Sequence, residues 1–200
     1  MRTAPLSTLP LETGALSLRL PVDGDAAQIT RFLQDYEIVK MLGRVPWPYG
    51  EADARWWINN AHEQAVIGQE YVLVIIHADH GLIGSCGLQK TPSPDDLSVW
   101  ELGYWIGRSH WRQGLVSLAA RAILDWGRDV IGATGFVSGH IEGNEASGHV
   151  LRKLGFEEVG TIEHYARGRD RIVRARRFVK NTPAQLALAF ENQNPCPNTD

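Results

Sequence analysis

The segment ELGYWIGRSHWRQGLVSLAARAIL, Glu101 to Leu124, constrains the fold more than any other. Its beginning alternates: Val99, Glu101, Gly103 and Trp105 fall on one side of an extended chain, and Trp100, Leu102, Tyr104 and Ile106 on the other. Past Gly107 the period changes. Leu118, Ala122, Ile123 or Leu124, and Trp126 recur at helical spacing and lay an apolar stripe on the sheet. A central strand therefore stops, turns through the polar, glycine-bearing Arg108 to Gly114, and becomes a helix near Leu115. Such a junction aims unpaired N–H groups and the positive end of a helix dipole at one spot, which suits a phosphate or pyrophosphate. Glycines also serve plain turns, so the junction alone leaves both readings open.

The flanking sequence supplies the other elements. Leu16, Leu18 and Leu20 alternate with Ser17 and Arg19, predicting a strand that ends at Pro21. DGDAAQITRFLQDYEIV reads as one helix with Asp23 or Asp25 as its N-cap. After the aromatic loop Val45 to Gly50, Ala54, Trp57, Ile58 and Ala61 share a face of a second helix. YVLVIIHA, the turn at His80-Gly81 and LIGSCGLQK predict a hairpin. GFVSGHIE is a further strand, Asn144 to Phe156 a short helix closed by Gly155, and Glu157 to Lys180 a closing hairpin. The alternating arginines of Ala166 to Arg177 read as a solvated outer face, with attraction of an acidic acceptor or RNA as the alternative. Residues 1–15 are expected to be a leader, 16–180 one domain, and 181–200 a helix-like piece with a mobile tail.

Composition excludes several functions. Twenty Lys and Arg against 23 Asp and Glu are too balanced for affinity resting on counterion release, so no general nucleic-acid binding is expected. Apolar runs such as Tyr71 to Ile76 fall far short of the roughly 20 residues of a membrane span. Two cysteines, Cys86 and Cys196, build neither a disulfide framework nor a four-cysteine zinc site, and a cytoplasmic location is expected. The seven histidines lack the i, i+4 pairing of a metal site, so no metal is expected.

Three stretches in order, LSLRLPVDGDAAQI (Leu16 to Ile29), ELGYWIGRSHWRQGLVSLAARAIL and GNEASGHVLRKLGF (Gly143 to Phe156), resemble the GNAT superfamily of acetyl-CoA-dependent N-acetyltransferases. The closest likeness is to the branch that acetylates the N-termini of ribosomal proteins. The resemblance implies an α+β fold, an α/β/α sandwich whose mixed, mostly antiparallel sheet is flanked by helices and splayed near Gly107 to admit acetyl-CoA. It implies that backbone groups of Ile106 and Gly107 lie along the pantetheine arm, and that Arg112, Gln113, Gly114, Leu115, Val116 and Ser117 wrap the pyrophosphate. Asn144 and Ser147 match positions near the thioester, with Ser147 a proton donor to the departing thiolate; Asn144 also reads as a plain helix cap. Arg112 and Val116 depart from the small residues usual in the family.

Transfer to an amine needs the amine deprotonated, the thioester carbonyl polarised and the thiolate protonated. Glu101 is the first candidate base, against a reading as an arginine partner; Tyr104 is the alternative to Ser147 as proton donor. Cys86 has no evident base partner, which favours direct transfer. Trp47, Tyr49 and Trp57 are candidates to line the acceptor pocket. The expected function is acetyl transfer from acetyl-CoA to a primary amine, foremost a protein N-terminus. A small-molecule amine such as an amino sugar or polyamine, and a degenerate acyl-CoA binder without turnover, are the alternatives. An edge strand leaves room for a homodimer.

Overall fold

A computed structural model describes residues 6–93 and 97–184. One eight-stranded sheet runs through it in the order β1-β2-β3-β4-β5-β6-β8-β7. The strands are β1 (Leu11–Thr13), β2 (Leu16–Arg19), β3 (Glu70–His77), β4 (Gly81–Lys90), β5 (Val99–Ile106), β6 (Gly135–Ile141), β7 (Glu157–Ala166) and β8 (Arg171–Lys180). Among the described residues only β5 and β6 pair in parallel, because α4 (Leu115–Asp129) carries the chain back between them.

Helices cover both faces. Against one lie α1 (Ala26–Leu33), α2 (Tyr36–Val39) and α3 (Glu51–Ile67), where Ile29, Leu33 and Ile58 meet Val74 and Leu82 of the β3–β4 hairpin. Against the other lie α4 and α5 (Glu145–Lys153), with Ile123, Leu124, Trp126 and Leu151 packed on Leu73, Leu88, Leu102 and Phe178. This is the expected α/β/α sandwich. The β3 side chains are divided between the two cores, which is why that strand is apolar from Tyr71 to Ile76.

Three readings are corrected. The stretch taken as one helix is broken, because Asp35 leaves helical geometry (φ −87°, ψ 106°) and its carboxylate accepts from the Glu37 N–H at 3.0 Å, capping α2. Asp25 does precede α1, but its carboxylate binds Arg19 at 2.7 and 2.9 Å and the Val22 N–H at 2.8 Å instead of capping. The stretch taken as a leader contributes β1, and Thr8 Oγ1 accepts from the Trp126 indole at 2.8 Å. Of the C-terminal piece, residues 185–200 and with them Cys196 lie outside the described residues. No described helix is long and apolar enough to cross a membrane.

The sheet parts between β5 and β6. Their pairing stops at Glu101↔Val137, although β5 continues to Ile106 and β6 to Ile141. Ser138 Oγ donates to Leu102 O at 2.8 Å as the last tie. Beyond it β6 follows β8, paired through Ile141↔Ala175. The gap thus opens at Leu102, ahead of Gly107.

Candidate active site

A cleft of about 1380 Å³ runs through this parting and onto the sheet face under α1–α3. Its first half is built at the β5–α4 junction. The Gly107 N–H donates to Ile83 O at 2.8 Å, toward β4. Because backbone groups alternate sides along a strand, the N–H groups of Tyr104 and Ile106 turn the other way, into the parting. The Trp111 indole donates to Ile106 O at 2.8 Å and pins the loop. Arg112 (φ 62°) and Gly114 (φ 77°) both sit in the left-handed region and swing the chain into α4. Leu118 is the first residue of α4 whose N–H reaches back into the turn, bonding Gly114 O at 3.1 Å. By helix geometry the N–H groups of Leu115, Val116 and Ser117 are therefore open at the cleft wall, where these residues and Arg112 stand. An anion fits here on the structure's own terms.

Two residues assigned to this half do not line it. Gln113 turns its amide onto Ser109 O at 3.0 Å. Gly107 instead packs against α1, where a Cβ would collide with the Phe32 ring.

At the meeting of the two halves, Tyr104 Oη and Ser147 Oγ are 2.8 Å apart, either able to donate. The Tyr104 hydroxyl also reaches Ser147 O at 3.3 Å. Burial pushes the Tyr104 phenol well up, so it stays protonated at neutral pH. Asn144 lines the cleft and caps α5 as well, its Oδ1 accepting from the Ser147 N–H at 3.3 Å. The pair can hold a proton at the mouth of the parting.

The second half has a charged floor. Glu101 Oε2 accepts from Arg44 at 2.6 Å and Oε1 from Arg177 at 2.7 Å. Desolvation pushes the Glu101 carboxyl up, yet Arg44 and Arg177 outweigh it and hold the group below the usual carboxylate range. Glu101 is thus an anion anchored by two guanidiniums, and takes up a proton only weakly. Burial lowers His164 below the ordinary imidazole range, with Arg44 and Arg177 adding to the shift and Glu101 opposing it. Glu70 goes the other way: burial raises it, Arg44 opposes and Glu101 reinforces.

An apolar wall rises beside this floor. Ile29, Leu33, Ile38, Tyr49 and Trp57 line it, and Tyr49 is 6% exposed. Trp47 does not reach it, since its ring packs against Tyr36 with centroids 5.1 Å apart and stays 42% exposed. Its place at the rim belongs to Trp56. The arginine face is corrected too: Arg177 points inward at 7% exposure, and Gly139 opposite leaves the space for it, with a Cβ there 3.2 Å from Arg177 Cδ. That glycine inside a strand was the available signal. Nothing local pointed to Arg44. Cys86 is fully buried, and burial pushes its thiol up, away from the reactive thiolate. Among the described residues no group of three His, Cys, Asp or Glu gathers to hold a metal.

The model for the Acetyltransferase (GNAT) domain matches residues 15–157, most of the sheet and the whole β5–α4 junction. The chain belongs to the GNAT family. It is an acetyl-CoA-dependent acetyltransferase. Similar to this GNAT chain in sequence is the uncharacterized N-acetyltransferase p20 of Bacillus licheniformis, 25% identical over 165 residues that span 82% of the chain and 90% of p20. Similar in fold is the ribosomal-protein-S5-alanine acetyltransferase of Vibrio fischeri, at a TM-score of 0.73 and 18% identity, covering 86% of this chain and 96% of that one. RimJ of Mycobacterium smegmatis, in complex with CoA-disulfide, gives 0.72 and 19%, covering 88% and 90%.

Proposed function

We propose that this acetyltransferase acetylates the free N-terminus of a protein or peptide by direct transfer at the β5–β6 parting. The observation carrying this reading is the continuity of the cleft. An anion-binding half at the start of α4 and a half with a charged floor and an aromatic wall meet at Tyr104, Ser147 and Glu101. The cleft, at about 1380 Å³, exceeds the roughly 300–1,000 Å³ of small-molecule pockets, which leaves room for a chain terminus beside acetyl-CoA. The acceptors of the ribosomal-protein acetyltransferases that share the fold are consistent with it.

Acetyl-CoA supplies the activated acetyl thioester. The open N–H groups of Leu115, Val116 and Ser117, with Arg112, hold the pyrophosphate. The Tyr104 and Ile106 N–H groups face the thioester and stabilise charge developing on its carbonyl oxygen. Ser147 Oγ, backed by Tyr104 Oη, delivers a proton to the leaving sulfur. Glu101 orients the amine, whose proton leaves through water. Trp57 and Tyr49 hold the first side chains of the acceptor.

Incubating the protein with acetyl-CoA and matched peptides, free or blocked at the N-terminus, tests this by mass spectrometry. A gain of one acetyl group at the free α-amine supports it. Acetylation of small amines with all peptides untouched overturns it.

A further inference from the structure

Arg44 shows what the floor of the acceptor half can hold. Glu70 on β3 stands opposite Gln89 on β4, and Gln89 opposite Glu101 on β5. Directly opposed residues project to the same face of a sheet, so the three form one row. The Arg44 guanidinium reaches in from the loop between α2 and α3 and lies on that row. It donates to Glu101 Oε2 at 2.6 Å and to the Gln89 side-chain carbonyl, but stops 4.0 Å short of Glu70 Oε1. At that length the last contact is an ion pair without a hydrogen bond.

The two carboxylates are therefore unequal. Glu101 has two guanidiniums in hydrogen-bond contact, while Glu70 accepts no hydrogen bond among the described residues. Its side chain is 20% exposed and lines the cleft. A largely desolvated carboxylate without a donor is costly, and a cation entering the cleft removes that cost. The apolar wall of Leu33, Ile38 and Trp57 borders the same cavity and suits a hydrocarbon spacer.

We propose that Glu70 determines acceptor preference by taking a second positively charged group of the acceptor, two strands along the row from Glu101. This rests on the acceptor half being the amine site, as proposed above. The preferred acceptor is a dication: a long diamine, or a chain whose free N-terminus is followed by Lys or Arg. Burial raises the Glu70 carboxyl, and an arriving cation opposes that shift.

Calorimetric titration of the CoA-saturated protein with diaminooctane and with octylamine tests this without requiring turnover. The diamine is expected to bind about ten- to hundredfold tighter. Glu70→Gln collapses that ratio, and Glu70→Asp keeps part of it, while thermal melts check that both variants fold. Equal binding of the two amines, binding of neither, or a ratio unchanged in a folded Glu70→Gln overturns the proposal. Peptides starting Ala-Lys or Ala-Glu form the second arm, read as acetylation rates. Tighter diamine binding with no peptide acetylated leaves Glu70 in its role and removes the N-terminal reading. Peptide acetylation indifferent to charge, together with equal amine binding, does the reverse.

Discussion

Arg112 at φ 62° occupies a backbone position that L side chains adopt at a cost of about 1–2 kcal/mol. Arg112→Gly relieves that strain but removes a cation from the cleft wall. We expect the variant to melt a few degrees higher and to bind acetyl-CoA about tenfold more weakly. Differential scanning calorimetry and titration read the two effects separately, and tighter binding by the variant would show that the arginine obstructs the phosphate loop. Tyr104 and Ser147 act at a single proton. Tyr104→Phe and Ser147→Ala are each expected to lower kcat about a hundredfold, and the double variant little further, because the pair works as a unit. Additive losses in steady-state kinetics would separate them.

Elements made of local periods were legible in the sequence. The β5 alternation, the switch of period at Gly107 and the apolar stripe of α4 each need only neighbouring residues. Burial within that stripe sets a stability prediction: Ile123→Ala, at a fully buried position, should cost about 2–5 kcal/mol in urea unfolding. The break before α2 escaped because the apolar residues of α1 and α2 continue one pattern across it, and a single capping carboxylate decides the boundary. Half of the proposed site came from the family resemblance, whose motifs are as local. Arg112, Leu115, Val116 and Ser117 lie within one strand–turn–helix unit, and Ser147 and Asn144 within another. The charged floor was not legible, since Arg44 and Arg177 meet Glu101 across separations of 57 and 76 residues. Periodicity showed arginines on β8 without telling which one turns inward. Glu101→Gln leaves both guanidiniums without their anion; a loss of about 1–3 kcal/mol in urea unfolding is expected, with a fall in kcat.

Across the molecule, proton linkage follows from groups the fold shifts. Glu101 and Asp25 are raised by desolvation but lowered further by their arginine partners, so their folded values lie below the unfolded ones. They stabilise the protein above the unfolded carboxylate range, and that contribution is lost as pH falls through the folded values. His164 is held neutral chiefly by burial; below its ordinary value of 6.5 the unfolded chain takes the proton first, and stability falls again. Glu70, raised by burial, opposes this by losing stability as pH rises through its window. The melting temperature should therefore drop from pH 7 to about pH 4, and His164→Gln should flatten the upper part of the drop. A melting temperature that climbs on acidification would contradict these signs.

The account stands on acetyl-CoA entering the β5–β6 parting with its pyrophosphate on the first turn of α4. Val116→Asp sets an anion at that turn, where a carboxylate favours the helix and opposes a phosphate. Titration of both proteins with acetyl-CoA by calorimetry should give micromolar binding by the native chain and a loss of roughly tenfold or more in the folded variant. Equal affinity in the two, or no binding by the native chain, would contradict it.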